Sequence, residues 1–129
     1  MGTFTKILLI RNDSTFDVRL EHNEVGLWTN VPGNGGTASY SQRVPWAVDE
    51  TQFNQRHLAV RVIRPNDVDI VHALWQRDVA GGNHVRHSRS TEIGVWADPG
   101  NPVSGDSADG GDRVLFIAGP ESIQLTKAG

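Results

Sequence analysis

Three carboxylates on a glycine-rich segment are the first place where chemistry could reside: Asp106, Asp109 and Asp112, within Asp106-Ser107-Ala108-Asp109-Gly110-Gly111-Asp112. Calcium takes roughly six to eight oxygen ligands, and short acidic side chains on a glycine-permissive backbone can turn toward one ion. Asp98 and Asn101 lie upstream and carry further oxygens. The spacing is not that of the twelve-residue calcium loop, and no glutamate closes the set. A hydrophilic loop is therefore the simpler reading, with calcium as the cofactor to test.

The four tryptophans come next. An indole can stack on the apolar face of a sugar or anchor an interface while its N–H finds a polar partner. Trp28 and Trp96 each follow a glycine and an aliphatic residue, and each precedes a turn-rich segment. If those strand ends meet, the two indoles flank a groove in which Asn30, Asn34, Asp98 and Asn101 supply directional hydrogen bonds. Trp46 and Trp75 read as packing residues.

His84 and His87 resemble a metal-binding pair only superficially, because a regular strand sends residues three apart to opposite faces. With Arg77, Arg86 and Arg89 they form a locally basic stretch. Solvated strand edges explain such a stretch, and an anionic-ligand site is the rival reading. His72 falls on the apolar side of its strand, as a hydrogen-bonded core or rim residue would.

Several classes are set aside. There is no cysteine, so disulfides, thiol chemistry and Cys-based zinc are excluded. No HExxH segment, G-x-S-x-G elbow, phosphate loop or dinucleotide fingerprint occurs. The formal net charge is −3 and the arginines are scattered, which argues against nucleic acid as a partner. Apolar runs are too short for a membrane span, and no signal peptide is visible; a cytoplasmic chain and a secreted one after leader removal both remain open. Asn12-Asp13-Ser14 matches the glycosylation sequon, which matters only on the secretory route.

The elements that must position these groups are short and extended. Phe16, Val18 and Leu20 alternate with charged neighbours, as do Leu58, Val60 and Val62. Ile70, His72 and Leu74 form one face of a strand, with Val71, Ala73 and Trp75 on the other. Turn chemistry predicts hairpins across Asn12-Asp13-Ser14, across Arg64-Pro65-Asn66-Asp67 and across Gly81-Gly82. Residues 48–54 fit a single helical turn. Residues 7–10 and 114–117 are apolar on both faces. Strict alternation places Ile7 and Leu9 on one side and Leu8 and Ile10 on the other, so the second face needs loops, barrel curvature or another subunit to cover it.

The expectation is an all-β chain: one domain over residues 1–129, built as an antiparallel β-sandwich or compact barrel of about nine to ten short strands. The function expected is noncatalytic, lectin-like recognition of a carbohydrate or other small polar ligand. The chief alternative is a structural, homo-oligomerising domain, followed by a small β-fold hydrolase or isomerase.

Overall fold

The computed structural model describes residues 4–79, 82–97 and 100–128. Eleven strands and one short helix follow one another among them: β1 (Thr5–Asn12), β2 (Val18–His22), β3 (Leu27–Val31), β4 (Gly36–Arg43), α1 (Glu50–Gln55), β5 (Leu58–Val62), β6 (Ile70–Val79), β7 (Gly82–Thr91), β8 (Asn101–Pro102), β9 (Ser104–Gly105), β10 (Gly111–Gly119) and β11 (Ser122–Lys127). They form a sandwich of two sheets. One has the order β4-β1-β10-β11-β9, the other β3-β2-β5-β6-β7-β8.

Alternation explains the core. Val18 and Leu20, Leu58, Val60 and Val62, and Ile70 and Leu74 meet Ile10, Leu115, Ile117, Ile123 and Leu125 from the opposite sheet in one buried cluster. As the sequence predicts, β5 pairs antiparallel with β6 across residues 64–67, and β6 pairs antiparallel with β7; Gly81 of the second expected turn lies outside the described residues. The third expected hairpin does not form. β1 and β2 lie in different sheets, and β1 instead pairs parallel with β10 and antiparallel with β4. The Asn12-Asp13-Ser14 turn is a crossover. Asn12 is fully buried there, donating from Nδ2 to the carbonyls of Phe16 and Val31 while its Oδ1 accepts from Ser14. An amide so committed is closed to glycosylation in the folded chain.

Strict alternation also fails in β1. The register against β10 slips between Ile7 and Leu9, leaving Leu8 as the extra residue of a bulge. Ile7 and Ile10 therefore both enter the core, and Leu8 and Leu9 are half-buried. Val114 and Phe116 are likewise half-buried, on the outer side of β10.

A second, smaller cluster lies on the outer face of the six-stranded sheet, where Ala73 and Trp75 of β6 are covered by Ala47, Phe53, Trp96 and Ala97. α1 delivers Phe53. Its start is capped by Asp49, whose Oδ1 accepts from the Gln52 N–H at 2.8 Å. Phe53 meets Trp75 edge-on at 5.3 Å, and Trp96 lies 5.0 Å from Trp75. The segment carrying Trp96 comes close because Gly94 has no side chain: a Cβ there would stand 3.2 Å from that of Ala73.

Candidate functional site

The residues expected to share one ligand groove do not gather. Trp28 and Asn30 sit on β3, at one edge of the six-stranded sheet, and Asn101 sits on β8 at the other. Trp28 is 63% exposed, with the Arg19 guanidinium 4.6 Å from its ring centre. Trp96 is half-buried against Trp75 and Phe53, a packing residue rather than a platform. Asn34 is exposed in the turn before β4, left-handed at φ 61°, and donates its backbone N–H to the Ser14 carbonyl. Asp98 lies outside the described residues.

The acidic loop is organised by a cation of its own. Arg113, buried on β10, donates from Nε to the Asp106 carbonyl at 2.7 Å. Its terminal nitrogens donate to the carbonyls of Ala108, Gly110 and Asp112 at 2.8–3.1 Å. Asp106, Asp109 and Asp112 are all exposed, and Asp106 accepts from the Lys127 N–H. Among the described residues no three His, Asp or Glu side chains converge as a metal-holding group.

The locally basic stretch on β6 and β7 also divides. Arg86 is buried and donates to the carbonyls of Gly82 and Gly100. Arg77 lies over the Trp96 ring at 5.6 Å, and His84 bonds the Ser107 hydroxyl. Arg89 lines a concave surface.

That surface is a cleft of about 310 Å³ between the sheets, where β6 begins and β7 ends. Arg64, Ile70, Arg89, Ser90, Thr91, Pro120 and Glu121 line it. Its parts are held from both sheets. Arg64 donates from Nε to the Val68 carbonyl at 2.8 Å and pairs with Asp67 at 3.5 Å, an exposed and therefore weak ion pair. Arg89 crosses to the β10–β11 turn and donates to the Glu121 carbonyl at 3.2 Å. Ile70 and Pro120 supply an apolar patch, and Thr91, which pairs with Ile70 on the inner face, brings a hydroxyl. Arg64 and Arg89 bring two guanidiniums to this lining beside the Glu121 carboxylate, with Asp67 already partnering Arg64.

Beneath the cleft, His72 and His87 lie on the inner face with ring centres 6.4 Å apart. His72 Nε2 bonds the Pro120 carbonyl at 2.9 Å, a second tie between the sheets. Burial pushes the pKa of both imidazoles below the ordinary histidine value, and Arg89 pushes in the same direction. Both rings are therefore neutral at pH 7, where a pair of buried imidazolium ions beside Arg89 would repel.

The residues of this cleft are far apart in sequence and follow no motif. The one signal available was the rival reading of the basic stretch as an anionic-ligand site, and of that stretch only Arg89 belongs here. No family model matches the chain, and no curated protein or solved structure proves similar to it. Among the described residues no helix is long and apolar enough to cross a membrane.

Proposed function

We propose that the chain is a noncatalytic recognition domain that takes a small, negatively charged polar ligand, such as an acidic sugar, into the cleft between the sheets. The observation that carries this reading is the presence of both Arg64 and Arg89 in the lining of one concave surface that also includes Thr91, Ile70 and Pro120. A few placed polar groups around an apolar floor orient a small ligand. A guanidinium already tied to a backbone carbonyl loses little further freedom on binding.

Calorimetry with glucuronate and glucose tests it. Glucuronate binds and glucose does not, and Arg89→Gln weakens glucuronate about tenfold or more, since a hydrogen bond to a charged group contributes roughly 1.5–3 kcal/mol. Equal response to both sugars, or indifference to Arg89→Gln, contradicts the reading. Trp28→Ala, far from the cleft, leaves binding unchanged.

A second reading, assembly with further copies of the chain, is supported by exposed Val25, Leu27 and Trp28 at the free edge of the six-stranded sheet.

A further inference from the structure

Four strands border the two sheets: β3 and β8 on one, β4 and β9 on the other. An open strand edge offers unpaired N–H and C=O groups, and proteins guard it with brevity, charge, proline or a bulge. β8 and β9 are two residues long. β4 breaks register against β1, holds Ser41 in a left-handed conformation at φ 57° and carries Arg43. β3 has none of these devices. It is Leu27-Trp28-Thr29-Asn30-Val31, uncharged, paired with β2 in unbroken register, with Leu27, Trp28 and Asn30 exposed.

We infer that a second copy of this chain docks on β3, antiparallel about a two-fold axis at Thr29, so that two six-stranded sheets join into one of twelve. The inference rests on the assembly reading and names its contact. The argument for a second copy, rather than an unrelated extended peptide, is self-complementarity, which a two-fold interface requires. The axis sets Trp28 opposite the partner's Asn30 and Leu27 opposite the partner's Val31, so no like charges meet. Behind them on β2, Arg19 stands beside Asn30 and Glu21 beside Trp28. Each row across the joint therefore runs from Arg19 through Asn30 and the partner's Trp28 to the partner's Glu21, basic at one end and acidic at the other. The two indoles fall on one face as diagonal neighbours, roughly 7–8 Å apart at Cα, within reach of aromatic contact.

The joint is short. Asn12 already bonds the Val31 carbonyl, which trims the ladder. Such an edge buries less than the ~1,000 Å² of a firm interface, so the dimer is weak and concentration-dependent.

Sedimentation equilibrium across the micromolar to millimolar range tests it, alongside amide exchange at the two ends of that range. The expected result is a monomer–dimer equilibrium with residues 27–31 gaining protection as concentration rises. Trp28→Lys weakens the dimer at least tenfold, and Val48→Lys, at an exposed apolar residue elsewhere, leaves it unchanged. A chain that stays monomeric overturns both the inference and the assembly reading. Association without protection of 27–31, or untouched by Trp28→Lys, overturns the β3 contact alone. The exchange measurement uses the unaltered chain and so stands even where a variant misfolds.

Discussion

On the outer face of the six-stranded sheet, Trp75 is fully buried beneath Phe53 and Trp96, whereas Trp28, three strands away, is 63% exposed. Both indoles sit at outward positions of regular strands. What separates them is the chain beyond the strand. The connection from β4 to β5 and the segment after β7 fold back over β6, adding a second apolar layer. Over β2 and β5 the face is kept polar instead: Arg61 bonds Glu21 at 2.9 Å and Asp69 at 3.3 Å, and Arg19 lies 3.7 Å from Glu21. The same residue type is thus core in one half and surface in the other. The difference also removes the paired-tryptophan groove.

The largest break in this contrast should come from Trp75→Ala. Emptying a fully buried indole site costs about 3–5 kcal/mol, read as a lower denaturation midpoint in urea. Trp96→Ala, at a half-buried residue of the same cluster, costs less.

Acid sharpens the contrast. His72 and His87 on the inner face, and His57 stacked on Phe53 of the outer cluster, all have pKa values lowered chiefly by burial. The unfolded chain takes up protons near pH 6.5 while the folded chain does not, so the unfolded state binds more protons. The stabilisation is complete above about pH 6.5 and is lost as pH falls through the lower folded values. Urea midpoints should be flat above neutrality and fall below it. His72→Gln, which retains a donor toward the Pro120 carbonyl, should flatten that slope; a slope that persists unchanged assigns the effect to other groups.

The smallest effect belongs to Trp28→Ala. It removes a cation–π contact with Arg19 worth about 0.5–1 kcal/mol at an exposed site. A loss as large as that of Trp75→Ala would erase the distinction between the two halves.

The sequence carried these outcomes unevenly. The β5–β6 hairpin was legible because Leu58, Val60 and Val62 alternate cleanly and a proline turn follows. The β1–β2 hairpin was misread because Asn-Asp-Ser favours a turn without fixing which sheet the chain enters next; Asn12 decides that through contacts with Phe16 and Val31, remote in pattern. The bulge at Leu8 was invisible since Ile7-Leu8-Leu9-Ile10 is apolar in every phase. The acidic loop drew attention to its carboxylates, while Arg113, just beyond the acidic segment, holds the loop through its carbonyls. For the cleft, residues 64, 89–91 and 120–121 meet only through sheet pairing and sandwich closure, and no local spacing records that.

The most direct measurement is a titration of the isotope-labelled chain with glucuronate, following backbone amides and indole N–H groups by NMR. The account predicts shifts at Arg64, Arg89, Ser90, Thr91 and Glu121, with the Trp28 indole unmoved. Shifts confined to Trp28 and Asn30, or to Trp96, with a silent cleft would contradict it.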